Sequence, residues 1–131
     1  MQNSNEKSPP KWPTEHAEQV TLVQWFDTTY QQYAGRLFAI PNGGWRAKAQ
    51  GVKLQLEGVR AGVPDLFLPV AVNGYHGLFI EMKRTKGGRL TPEQREWLNY
   101  LCDAGYEGHC CEGFVEARKV VELYITLQKK I

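Results

Sequence analysis

Apolar and polar residues alternate along this chain with periods that change from segment to segment. Between Thr14 and Tyr33 the apolar positions Leu22, Val23, Phe26, Tyr30 and Tyr33 recur at three- and four-residue spacing, which predicts a helix with one apolar face. Two continuous apolar runs of strand length follow, Leu66 to Val72 and Leu78 to Met82, separated by the turn-forming pair Asn73-Gly74. A third amphipathic segment presents Trp97, Leu98 and Leu101. It opens on Thr91 as N-cap with Pro92 at the first helical position and runs to about Asp103. Shorter signals fill the gaps. Arg36 to Ile40 (RLFAI) predicts a short strand closed by PNGG. A second helix is expected from about Trp45 to Leu56, ending near Gly58 because Gly62 and Pro64 forbid its continuation. Tyr106 to Cys111 predicts a further strand and Phe114 to Leu127 a last helix. The order helix, strand, helix, strand, strand, helix, strand, helix describes an α/β domain, a small central mixed β-sheet flanked by helices. Residues 1–13 are polar and proline-rich and are expected to form a flexible tail, leaving 14–131 as one domain.

Composition narrows the function only slightly. Of 131 residues, 42% are hydrophobic and 23% charged, an ordinary globular balance. No run approaches the roughly 18 apolar residues that a membrane helix needs. The net charge of +2 carries no message by itself. Its distribution does, because Lys83, Arg84, Lys86, Arg89 and Arg95 outnumber Glu81 and Glu93 in one stretch, and Arg46, Lys48, Lys53 and Arg60 form a looser group. Cys102, Cys110 and Cys111 fit no disulfide framework, and a reducing, cytoplasmic setting is expected. Together with His109 they match no common zinc spacing, so buried thiols are expected. Trp12, Trp25, Trp45 and Trp97 could stack on bases, but on helical apolar faces they are expected in the core.

The two apolar strand segments carry Asp65, Glu81 and Lys83. Glu81 and Lys83 share one face of their strand by alternation. Whether Asp65 joins them depends on register. A two-residue Asn73-Gly74 turn alone sets Asp65 opposite Met82 and parts the carboxylates. A three-residue loop sets it opposite Lys83. A bulge could also correct the register, and Pro69, which cannot donate to a ladder, is a place for one. Two partly buried carboxylates about 4 Å apart repel by roughly 4 kcal/mol, so positive charge must be near. Lys83 alone would make a structural ion-pair network. A divalent cation, Mg²⁺ or Mn²⁺ for oxygen donors, would make a site.

GVPD and IEMK together resemble the Pro-Asp…Glu-X-Lys signature of the PD-(D/E)XK nucleases. The series IPNGG, EGVRAGVPDLFLP, GLFIEMKR, GGRLTPEQREW and the late GY before a final helix resembles the VRR-NUC family in its short, stand-alone phage or bacterial form, from about Thr14 onward. That resemblance implies a restriction-endonuclease-like core and a metal-dependent phosphodiesterase acting on DNA. Asp65 and Glu81 would bind the metal with the backbone carbonyl of Met82, and Lys83 would orient or activate the attacking water. It further implies selectivity for branched DNA such as a Holliday junction, a role in DNA repair, and a homodimer that cuts two strands. The competing expectation is a nucleic-acid-binding module whose nuclease fold is inactive.

The family pattern also calls for an acid from the first helix. Glu15 is expected to align with Gln19, Leu22, Val23 and Phe26, and Glu18 to lie toward the edge of that face, although an acid in a first helical turn is favoured by the macrodipole alone. Gln94 matches the family's glutamine beside the metal. Thr91-Pro92-Glu93-Gln94 is equally a capping box, and one side chain is expected to serve only one of these purposes. Arg84, Lys86 and Arg89, next to two glycines, suggest a loop that grips phosphates, and Arg60 is a further candidate DNA contact, unless it makes only a surface ion pair.

Overall fold

The computed structural model describes residues 12–41 and 48–126. Helix α1 (Glu15–Thr29) is capped by the Thr14 hydroxyl, which accepts from the Ala17 amide. It stops at Tyr30 and is followed by a single 3-10 turn, Gln31–Tyr33, instead of continuing as one helix to Tyr33. The β-branched pair Thr28-Thr29 weakens its end, and the Asp27 carboxylate accepts from the Gly35 amide at 3.0 Å, pulling the chain back. Strand β1 (Phe38–Ala39) is the short core of the RLFAI signal, and α2 spans Lys48–Leu56. The expected start of that helix at Trp45 lies outside the described residues, as does the expected end of the last helix at Leu127.

Strands β2 (Leu66–Leu68) and β3 (Leu78–Lys83) are followed by α3 (Pro92–Asp103), β4 (Glu107–Glu112) and α4 (Phe114–Thr126). The sheet order is β1-β2-β3-β4, with the first two pairings antiparallel and β3 parallel to β4, so α3 is the crossover between parallel neighbours. Among the described residues no helix is long and apolar enough to cross a membrane.

Two local devices set the register of β2 and β3. The Asn73-Gly74 turn forms: Val72 and Tyr75 exchange backbone hydrogen bonds of 3.1 and 2.9 Å, and Asn73 and Gly74 take φ of 48° and 87°, as a tight hairpin of this hand requires. Continued without interruption, that closing pair would put Asp65 opposite Met82. The ladder instead reads Leu66↔Ile80, Phe67↔Phe79 and Leu68↔Leu78, one residue out of step. The extra residue is absorbed between Leu68 and Val72, where Pro69 donates nothing and the Val70 amide turns back to the Leu68 carbonyl at 2.9 Å. The predicted strand to Val72 is thereby cut to Leu68, and Asp65, one position before Leu66, falls opposite Glu81.

The sheet's two faces differ. On one, Leu66, Leu68, Leu78, Ile80, Met82 and Cys111 are fully buried beneath Leu22 and Phe26 of α1 and Ala117, Val121 and Tyr124 of α4. On the other, Phe67 stacks on Phe79 with ring centres 4.3 Å apart, and Phe38 and Tyr106 meet them edge-on. Here α3 lies close over β4. A Cβ at Gly108 would stand 3.2 Å from Leu98 Cδ2, so a bare backbone is what lets the helix approach. The expectation of buried thiols holds for Cys111, whereas Cys110 is half-buried and Cys102 exposed. Trp25 packs against the core and Trp97 is partly buried, whereas Trp12 is exposed; Trp45 lies outside the described residues.

Candidate active site

Asp65 enters the site on main-chain supports. Its carbonyl accepts from the Ile40 amide, and its Oδ2 accepts from the Met82 amide, each at 2.8 Å, so the carboxylate lies along β3 beside the Met82 backbone. Glu81 faces it across the ladder and is only 2% exposed. Glu81 Oε1 accepts from Gln94 Nε2 at 3.0 Å and sits 3.7 Å from Lys83 Nζ, while Oε2 is buried and receives no N–H or O–H from the described residues. Lys83, two residues on and on the same face, is 8% exposed. Asp65, Glu81 and Lys83 therefore converge, through the bulge and not through a longer loop.

Burial and then the neighbouring Asp65 charge push the Glu81 carboxyl up to about 8, against the pull of Lys83. Burial also raises Asp65, opposed by its bond from the Met82 amide. Near neutral pH the two carboxyls therefore favour sharing a proton, because one lysine does not offset two desolvated carboxylates. The surroundings call for more positive charge.

A small oxygen-preferring dication fits this arrangement. The observation that tests it is Glu81 Oε2, a buried acceptor to which no N–H or O–H of the described residues donates, on a carboxyl close enough to Asp65 that the two share a proton or a counter-charge. Among the described residues no group of three or more His, Cys, Asp or Glu side chains is placed to hold a metal ion. Any cation here would draw on two carboxylates and main-chain oxygen and keep several waters, which is the habit of Mg²⁺ and not of zinc.

Gln94 corrects an expectation. Its Oε1 accepts from the Thr91 amide at 2.9 Å, closing the capping box, while its Nε2 donates to Glu81. A carboxamide has an acceptor end and a donor end, so one side chain makes the cap bond and the bond to Glu81 at once. The acids of α1 are also rearranged. Glu18, in step with Leu22 and Phe26, is buried, whereas Glu15 is exposed. Glu15 lies on the same line as Leu22 and Phe26 but is the first residue of the helix, whereas Glu18, toward the edge of that line, is covered. Glu15 is nevertheless the acid of α1 whose charge acts on Glu81.

The basic candidates scatter. Arg60 Nη1 donates to the Gln55 carbonyl at 2.8 Å, capping the end of α2; this is neither the expected ion pair nor a contact with the carboxylates. Arg84, Lys86 and Arg89 are exposed on the loop after β3. Arg84 bends toward the Gly87 carbonyl and Lys86 Nζ stands 5.2 Å over the Trp12 ring. His109 pairs with Glu107 at 2.9 Å.

Two neighbours escaped the sequence. Cys110 is the β4 partner of Glu81 and so stands in the same cross-strand row, a position that only the parallel register reveals. Thr85 donates to Glu18 at 3.0 Å, 67 residues away. The one signal in the sequence was the four-residue step from Glu18 to Leu22 to Phe26.

Comparison with known proteins places the fold. A family model described as the VRR-NUC domain matches residues 2–115. A solved structure described as a VRR_NUC domain protein superposes with a TM-score of 0.79 at 28% sequence identity, covering 89% of this chain and 92% of that one. No curated protein matches the sequence. With the greater part of its length matched and its carboxylates and lysine on one sheet face, this chain belongs to the VRR-NUC family of nuclease domains.

Proposed function

We propose that the protein is a Mg²⁺- or Mn²⁺-dependent endodeoxyribonuclease that hydrolyses phosphodiester bonds in branched DNA. The observation that carries the reading is the convergence of Asp65, Glu81 and Lys83 around a buried carboxylate oxygen to which no N–H or O–H of the described residues donates. Asp65, Glu81 and the Met82 carbonyl would hold the cation. When bound, the cation supplies Lewis-acid stabilisation of the phosphate and a lowered pKa for water. Lys83 lies against the same carboxylates and would neutralise charge developing on the phosphate while orienting the incoming water. Gln94 holds Glu81 Oε1 from the far side and fixes the carboxylate plane. Glu15 adds negative charge at the rim and would act through waters around the ion.

Arg84, Lys86 and Arg89 would grip phosphates, with Arg60 farther along the duplex. Among the described residues no helix is set up to read a groove, which favours selectivity for DNA shape over sequence. A homodimer would supply two sites for paired cuts, which light scattering of the pure protein tests. The deciding experiment incubates four-way-junction and supercoiled DNA with the protein in Mg²⁺ or Mn²⁺. The expected result is cleavage abolished by chelator and by Asp65→Asn. Retarded but uncut DNA would overturn the catalytic reading in favour of a binding module.

A further inference from the structure

We propose that Glu18 is a positioning residue for Lys83: its buried carboxylate, fastened to Thr85 and seated against Gly113, fixes the carboxyl end of β3 and the root of the basic loop. The inference rests on the nuclease reading and gives the second acid of α1 a task separate from that of Glu15.

Glu18 is 9% exposed, and among the described residues no lysine or arginine forms an ion pair with it. A buried carboxylate without a counter-charge persists only when other donors compensate it. Here one compensation is the Thr85 hydroxyl, which donates to Glu18 Oε2 at 3.0 Å. Another is the amino end of α4. Gly113 immediately precedes Phe114, the first residue of that helix, where backbone dipoles favour negative charge.

The fit around Gly113 is tight. A Cβ there would fall 2.5 Å from Glu18 Oε2, 3.1 Å from Oε1 and 2.6 Å from Thr85 Oγ1, and φ is 91°, so only glycine leaves room for the carboxylate.

Each of these contacts leads back to Lys83. The Gly113 amide donates to the Lys83 carbonyl at 2.9 Å, and Thr85 lies two residues beyond it. The same loop then returns over the lysine, because a Cβ at Gly88 would stand 2.8 Å from Lys83 Cβ. Glu18 thus holds Lys83 from its carbonyl side and from the loop that confines its stem. The result is an ammonium kept 3.7 Å from Glu81 Oε1. A shift of about 1 Å in such a group can cost on the order of 10²-fold in rate.

The test compares Glu18→Ala, Thr85→Val and Thr85→Ser in single-turnover cleavage of junction DNA, alongside amide exchange without DNA. Thr85→Val is the second variant because it removes the donor without opening a cavity beside α1. Either Glu18→Ala or Thr85→Val is expected to slow cleavage at saturating protein by about 10- to 100-fold while leaving the Mn²⁺ dependence unchanged. Thr85→Ser is expected to restore the rate, and the double variant to be no slower than the worse single.

The Gly113 amide should exchange faster in Glu18→Ala and Thr85→Val, with α3 still protected. A raised Mn²⁺ requirement in Glu18→Ala would overturn the proposal by making Glu18 a ligand. So would unchanged exchange at Gly113 in both variants. Should the wild-type protein cut no DNA, the nuclease reading falls by itself, and the exchange result still decides whether Glu18 fastens Lys83.

Discussion

Ile80 and Met82 on one side of β3, and Glu81 and Lys83 on the other, are sequence neighbours buried to nearly the same degree. Their surroundings are opposite. The first pair enters a dry core under α1 and α4, where every contact removes apolar surface from water. The second pair is desolvated beside Asp65, with one carboxylate oxygen receiving no N–H or O–H from the described residues and Glu81 driven toward its neutral form. One strand thus holds the domain together with one face and stores electrostatic cost with the other. Equal burial does not mean equal contribution to stability.

Substitutions on the charged face should break activity without breaking the fold. Asp65→Asn or Glu81→Gln is expected to lower the cleavage rate by about 10³-fold, since each removes charge that the reaction requires, while circular dichroism stays unchanged. On the apolar face the pattern reverses. Ile80→Ala should cost about 2–5 kcal/mol by denaturant titration, with the rate per folded molecule retained under native conditions. Loss of folding in Asp65→Asn, or loss of rate with full stability in Ile80→Ala, would contradict this division.

The cost on the charged face should appear as a pH dependence. Glu81 titrates near its ordinary value when unfolded and at about 8 when folded. Between those values the folded chain binds the extra proton, so stability falls as pH rises through that window. Thermal unfolding in chelator from pH 5 to 9 should show the wild-type midpoint dropping relative to Glu81→Gln. Above pH 8 the variant should be the more stable by a few degrees, about what 1 kcal/mol gives at this size. Parallel curves would show that no such strain is stored. Added Mg²⁺ should remove the difference by occupying the ionised pair, an effect that mass action makes concentration-dependent.

Much of this was legible in the sequence. Thr91-Pro92 announced α3, and the α/β order followed from where the hydrophobic period changed. The register was not, because two local signals conflict. Asn73-Gly74 forms its tight turn, which by itself parts the carboxylates, and the stretch around Pro69 undoes the error with one extra residue. No pattern of apolar residues reveals how two turns add. The burial of Glu18 was missed for a related reason. Leu22 and Phe26 define the buried line, and extending it one turn upstream reaches Glu18, a charged residue that an apolar pattern passes over. Cys110 became a neighbour of Glu81 only through the parallel pairing that α3 imposes.

The smallest effect tests whether the two faces can be separated at a single side chain. Gln94 serves α3 with its oxygen and Glu81 with its nitrogen. Gln94→Ala should cost only about 0.5–1.5 kcal/mol for the lost cap bond and slow cleavage by roughly tenfold, as expected for a group that orients a ligand without being one. Gln94→Glu divides the two roles. A carboxylate still accepts from the Thr91 amide, so helix content and stability at pH 5 should match the wild type. Its other oxygen now faces Glu81 as a like charge, which raises the proton affinity of the cluster further. The fall in melting temperature with rising pH should therefore be steeper than in the wild type, and the Mg²⁺ requirement for cleavage should shift. If Gln94→Glu instead lowers stability equally at every pH, the glutamine matters to the helix alone, and Glu81 is oriented by Lys83.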